Sequence, residues 1–76
     1  MADPLKTQLR KLGQAVAAER RNRRITQERM AELCEVDRTY ISRVERGATN
    51  VSFRNLWRIA AVLRLRIADL CDRAGV

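Results

Sequence analysis

The sequence predicts an all-α fold, five short helices closed into one compact domain over residues 1–76. Three observations carry this. Apolar residues recur at spacings of three and four along nearly the whole chain, and no stretch alternates in the manner of a strand. Asp, Thr and Ser stand just before those periodic runs, where helix N-caps belong. Aromatic residues are only 4% of the chain, so Leu, Ile, Val and Ala must build the core. A core of this size is marginal alone, which makes dimerisation an expectation from the outset.

The first helix opens at Asp3, an N-cap, followed by Pro4, whose missing N–H costs nothing at the first helical position. Leu5, Leu9, Leu12 and Val16 form its apolar stripe. It closes in ERRNRR, Glu19 to Arg24. A solvated helix end, where cations meet the C-terminal dipole, and a phosphate contact are both open for that run.

Thr26 caps a second helix, Gln27 to about Cys34, with Met30, Ala31 and Leu33 turned inward. Glu28 suits its first turn, although Arg29 stands where a capping box wants Glu or Gln.

The third helix lies in VDRTYISRVERG, residues 36–47. Asp37 is its N-cap, and its carboxylate is expected to accept from the next turn. Gly47 is its C′ residue, so the helix runs from about Arg38 to Arg46. At about 100° per residue, Ile41 and Val44 point one way. Thr39, Ser42, Arg43 and Arg46 gather on the other side, with Arg38 and Tyr40 flanking. Ser52 caps a fourth helix from Phe53 to about Leu63, with Phe53, Leu56, Ile59, Ala60 and Leu63 as its stripe and Trp57 beside it. LRIADLCDR forms a short fifth helix with Ile67 and Leu70 facing in.

Charge narrows the function. The chain carries 16 Lys+Arg against 9 Asp+Glu, a net +7, and arginine dominates. Guanidinium forks bind phosphate bidentately and match guanine edges, so this balance fits a nucleic-acid binder. An enzyme reading has little support: there is no His, no Gly-rich phosphate loop, and no paired nucleophile and base. Cys34 and Cys71 lack metal-ligand spacing and are expected to be small buried residues or reduced thiols. No metal, cofactor or small-molecule substrate is expected. With no long apolar run and no signal-peptide centre, the chain is expected to stay off membranes and in the cytosol.

Helix two, a tight turn and helix three make a helix-turn-helix plan. Ala31 is small where the helices approach, Val36 plugs the turn, and Ile41 and Val44 seat the second helix. The run TQERMAELCEVDRTYISRVERGATNVSFRNLWRIAAVL resembles the lambda-repressor/Cro-like (XRE-type) family of helix-turn-helix transcriptional regulators. The likeness extends from about Leu12 to Leu70. Within that family, DRTYIS, ERG and NVS with a following Asn-Leu look most like controller proteins of restriction–modification systems. Two departures stand out. Many relatives have glycine where Glu35 sits, so a positive φ there would cost on the order of 1 kcal/mol. Relatives often have Gly and Ser where Arg64 and Arg66 stand.

The resemblance implies roles. The third helix would lie in the major groove as the recognition helix, with Arg38 and Arg43 reading bases. Thr39 would touch a thymine methyl or a phosphate, and the short Ser42 would let the helix approach closely. Gln27 would hold a phosphate and brace helix three. Tyr40 is a phosphate donor or a packing residue. Arg46, Thr49, Asn50 and Ser52 would contact the DNA backbone, with turn and cap roles equally open for Asn50 and Ser52. Glu45 is expected to pair with an arginine. Partners implied are double-stranded operator DNA with palindromic symmetry, a second copy of the chain, and RNA polymerase. Helices four and five would supply the dimer interface through Leu65, Ile67, Leu70 and Trp57, although these residues could equally finish the monomer core. The family also includes prophage-type repressors and antitoxin-like DNA-binding proteins with a protein partner, which stand as the alternative.

Overall fold

The computed structural model describes residues 3–76. Five helices follow one another: α1 (Pro4–Asn22), α2 (Gln27–Cys34), α3 (Arg38–Glu45), α4 (Phe53–Val62) and α5 (Ile67–Ala74). The described residues contain no strand.

Local chemistry sets the helix starts. The Asp3 carboxylate accepts from Leu5 N at 3.0 Å. The Thr26 hydroxyl accepts from Arg29 N at 3.0 Å, and the Ser52 hydroxyl from Asn55 N at 3.1 Å. At α5 the roles invert: the Asp69 carboxylate reaches back to Arg66 N at 3.1 Å and also holds the Arg66 guanidinium. Asp37 departs from expectation. It occupies the N-cap position of α3 with extended backbone, but its carboxylate makes no capping bond.

The helix ends share one device. At Arg24, Glu35 and Arg64 the backbone turns left-handed, with φ of 56°, 58° and 58°. In each case the next residue, Ile25, Val36 or Leu65, sends its N–H back to a carbonyl of the last turn, on Arg20, Ala31 and Ala60 respectively. This is the Schellman arrangement, in which orphan carbonyls gain a partner and an aliphatic side chain folds back on the core. Ile25, Val36 and Leu65 all pack there. Non-glycine residues in this conformation cost about 1 kcal/mol each or somewhat more. Only α3 and α5 avoid that cost, ending on Gly47 and Gly75.

Val16, Met30, Ile41, Val44, Ile59, Leu63 and Leu70 are the largest fully buried side chains. They come from all five helices, so the core is a joint product and no helix pair is complete alone. Four expected inward residues are not in it: Leu9 is only half-buried, and Leu5, Leu33 and Phe53 are 52%, 45% and 73% exposed. Leu5 sits in the first turn of α1, and a 19-residue helix, about 28 Å long, overhangs its short neighbours. Leu33 lies about 100° around the axis from the centre of the Met30, Ala31 and Cys34 arc. Phe53 opens α4 about 70° off the centre of that helix's stripe. Leu70 is corrected in the opposite sense. It is fully buried within the protomer and offers no surface to a partner.

Two further contacts fix helix placement. Gly13, on α1, faces the end of α3 so closely that an added Cβ would overlap the Val44 carbonyl oxygen and lie 2.6 Å from that of Glu45. Glu19 on α1 accepts from Arg23 and from Arg73 on α5, each at 2.8 Å. The hydrogen bond from Arg23, reinforced by the Arg73 guanidinium, holds the Glu19 carboxyl below the usual carboxylate range.

Candidate nucleic-acid interface

The site is built on α3, which is eight residues long and held by little: Ile41 and Val44 are buried, and the Tyr40 ring packs half-buried beside them. What fixes its direction is a polar clamp beneath its last turn. Glu45 and Arg20 are almost fully covered and paired at 2.7 Å and 3.1 Å through two guanidinium nitrogens. The third Arg20 bond goes to the Ile25 carbonyl at 2.8 Å, and Gln27 Nε2 donates to Glu45 Oε1 at 2.9 Å. So α1, the α1–α2 turn, the start of α2 and the end of α3 meet on one ion pair, the turn through Arg20 and the start of α2 through Glu45. Buried charges need such partners, because an unpaired one keeps its full desolvation cost. No buried side-chain N or O among the described residues lacks a partner.

The clamp assigns two of the expected residues. Gln27 braces α3 directly, and Glu45 has its arginine partner. Arg20 is the surprise. It sits inside ERRNRR, a run with no apparent place in a core, yet it is 8% exposed and central to the clamp. Helical spacing does separate it from Arg21: Arg20 falls four residues after Val16, on the buried side of α1, and Arg21 about 100° further round the axis.

The arginines divide into two sets. Arg20, Arg23, Arg29, Arg58, Arg66 and Arg73 engage carboxylates within the chain. Among the described residues the other arginines have no such partner and are exposed: Arg38, Arg43 and Arg46 on or beside α3, and Arg10, Arg21, Arg24, Arg54 and Arg64 elsewhere. Thr39 is exposed and Ser42 half-buried beside them. Past the helix, Thr49 is half-buried with its hydroxyl on the Asn50 carbonyl at 3.3 Å, and Asn50 is exposed. Ser52 caps α4, as the structural alternative for it held.

These residues form a continuous belt. One shallow groove is lined by Arg21, Thr26, Gln27 and Arg38. A second, sharing Arg21 and Gln27, runs past Gln14 and Ser42 to Arg46. A third continues from Arg46 past Thr49 and Asn50 to Arg10 and Lys6. The two ends of α3 are thus flanked mainly by cationic and amide side chains, many of them from α1, with the carboxylates Glu28 and Asp3 at the margins. Lys6, Arg10 and Gln14, which the sequence pattern does not single out, line these grooves with Arg21. Arg21 at least lay in the ERRNRR run for which a phosphate contact was open.

Tyr40 sits at the edge of the belt. Its hydroxyl oxygen accepts from Asn55 Nδ2 at 3.1 Å, and Asn55 N–H is in turn held by Ser52. On the opposite side of α4, Trp57 is 60% exposed, with Ala61 beside it and Leu65 and Ile67 half-buried nearby. These residues line one shallow apolar groove with Arg66 at its rim. The Cys34 thiol is pushed up by burial, which removes it as a nucleophile.

The chain matches the helix-turn-helix family over residues 16–70, the span from the middle of α1 into α5. It is 44% identical over 48 residues to control protein C.BamHI of Bacillus amyloliquefaciens, covering 63% of this chain and 59% of that relative's length. Among solved structures, the restriction–modification controller protein C.AhdI of Aeromonas hydrophila superposes with a TM-score of 0.79 at 37% identity, covering 82% of this chain and 94% of the other. The clp gene regulator ClgR of Corynebacterium glutamicum superposes with a TM-score of 0.87 at 29% identity, covering 90% and 72%. With the α2–turn–α3 unit and these likenesses in agreement, the chain belongs to the helix-turn-helix family, and it spans 59% of the length of the control protein it matches.

Proposed function

We propose that the chain acts as a homodimer on a palindromic operator, and that it is the controller protein of a restriction–modification system regulating its own promoter. The observation that carries the DNA-reading half is the exposed flank of α3, where Arg38, Thr39, Ser42 and Arg43 have no structural task that competes with base contact. Arg38 and Arg43 read guanine edges, since a guanidinium reaches O6 and N7 together. Gln27, Tyr40, Arg46, Thr49, Asn50 and Ser52, joined by Arg21 and Arg10 from α1, hold phosphates on either side and set the helix in register. Nothing in this task calls for catalysis, and the family is a regulator type, not an enzyme class.

The dimer half rests on Trp57, Leu65 and Ile67. An indole left mostly in water beside an apolar groove is a natural anchor for a twofold contact, because aromatic residues concentrate binding energy at interfaces. Two recognition helices about 34 Å apart then read two half-sites one turn apart. RNA polymerase is the further partner, recruited or excluded according to operator position, in the prokaryotic cytoplasm. The controller role is supported by the likeness to C.BamHI and C.AhdI. The likeness to ClgR, which spans more of the chain, favours a second reading, a regulator of genes outside such a system.

Selection of bound duplexes from a random pool, with sedimentation equilibrium of the free protein, tests the proposal. A palindrome with two half-sites and a micromolar or tighter dimer are the expected results. A single asymmetric half-site bound by a strict monomer would remove the dimer from the account. An operator just upstream of this gene beside a restriction or methyltransferase gene decides for the controller reading; operators only at unrelated genes decide for the second.

A further inference from the structure

We infer that Asn55 is a positioning residue for DNA recognition, one that turns the Tyr40 hydroxyl proton outward so that Tyr40 serves as a hydrogen-bond donor to the operator. The inference rests on the proposed reading of α3 as the DNA-facing helix. Asn55 lies on α4, outside the α3 face and the α3–α4 loop, and does not itself reach the belt of cationic groups.

The geometry is specific. The Tyr40 ring packs against the core, so it cannot swing. Its oxygen accepts from Asn55 Nδ2 at 3.1 Å. A phenol proton lies near the ring plane on one of two sides of the oxygen. With the Asn55 N–H occupying one side, the proton takes the other. Asn55 is itself fixed, half-buried in the first turn of α4 with its N–H on the Ser52 hydroxyl at 3.1 Å. The relay thus runs from the Ser52 cap through Asn55 to Tyr40. Around α3, Tyr40 is about 60° from Arg43, next to the flank that faces DNA. The outward proton therefore emerges where acceptors lie: phosphate oxygens, guanine N7 and O6, and thymine O4. An amide donor is the side chain that permits this. A carboxylate at the same place would accept the phenol proton and turn it inward.

The test is a double-mutant cycle on a duplex selected by the wild-type chain. Tyr40→Phe weakens binding by roughly tenfold, the worth of one hydrogen bond to a polar or charged acceptor. Asn55→Leu, which keeps the volume and leaves the Ser52 cap intact, loses nearly as much, and the double variant loses no more than Tyr40→Phe alone. Asn55→Asp separates direction from mere bracing. It preserves the contact but reverses the proton, and its loss in the Tyr40 background exceeds its loss in the Phe background, where only carboxylate repulsion of DNA remains. A loss confined to the selected sequence assigns the acceptor to a base edge, and an equal loss on scrambled duplex assigns it to phosphate. Additive losses in the cycle overturn the proposal, as does an Asn55→Asp variant as tight as wild type. If Tyr40→Phe binds normally while Arg38→Ala and Arg43→Ala fail, the relay is wrong and the reading of α3 stands. If none of the three matters, the reading of α3 has failed first.

Discussion

Replacing Glu45 with alanine isolates what orients α3. The carboxylate receives two hydrogen bonds from Arg20 and one from Gln27, and both ends of the ion pair are covered, at 9% and 5% side-chain exposure. Removal leaves a guanidinium buried with one remaining partner, the Ile25 carbonyl. Breaking a buried pair from one side costs about 3–5 kcal/mol, because the surviving charge keeps its desolvation penalty. A domain of this length has a total stability of about 4–11 kcal/mol, so the variant forfeits about a quarter of it at least. At about 4–8 °C per kcal/mol for a domain of this size, the melting temperature falls by roughly 12–40 °C. Thermal unfolding followed by helical circular dichroism reads this directly. The paired variant Arg20→Met with Glu45→Leu supplies the control. With no charge left to strand, it recovers most of the loss, and on general grounds can match or exceed the parent. A Glu45→Ala variant that melts within a few degrees of the parent would refute the reasoning, as would a double variant less stable than the single.

Three other outcomes are expected. Gly13→Ala destabilises despite the roughly 1 kcal/mol that alanine gains in helix propensity, because the new methyl meets backbone carbonyls that cannot swing aside; a melt shows a net loss of about 1–2 kcal/mol. Arg21→Ala weakens binding to all duplexes alike and lowers the salt slope by about one, as a phosphate contact does, which titrations at several ionic strengths read out. The Glu19 carboxyl is held low by Arg23 and Arg73, so its contribution is complete above the unfolded value of about 4.3 and is lost as pH falls through the lower folded value. Melting temperature is therefore flat from pH 7 to about 5 and declines below about 4, and Glu19→Gln removes part of that decline.

Much of this was legible in the sequence for identifiable reasons. Helix starts were readable at Asp3, Thr26 and Ser52 because a cap is a local bond between near neighbours. The burial of Ile41 and Val44, and the exposure of the arginines opposite, followed from periodicity alone. Periodicity is less informative where a stripe outruns its neighbours, which is why Leu5 was misplaced, and at the edge of a stripe, which is where Phe53 lies. It also does not fix the centre of a short helix's inner arc, which is why Leu33 was. Asp37 occupies its cap position without making the bond, a side-chain choice that residue type does not dictate. The largest omission, the Arg20–Glu45–Gln27 clamp, joins residues 25 and 18 positions apart. Gln27 as a brace and Glu45 as a carboxylate in need of an arginine were both expected, and the missing member was Arg20, whose spacing from Val16 sets it on the buried side of α1. The contributions of Lys6, Arg10 and Arg21 depend on α1 lying alongside α3, and a sequence pattern carries no such angle.

Methylation interference on the selected operator tests the central claim most directly, because an N7-methyl group on guanine projects only into the major groove. Two clusters of interfering guanines about one helical turn apart are expected, each silenced selectively when Arg38 or Arg43 is replaced by alanine. Binding indifferent to N7 methylation at every guanine, yet blocked by ethylated phosphates, would place some surface other than the α3 flank against the bases and contradict the account.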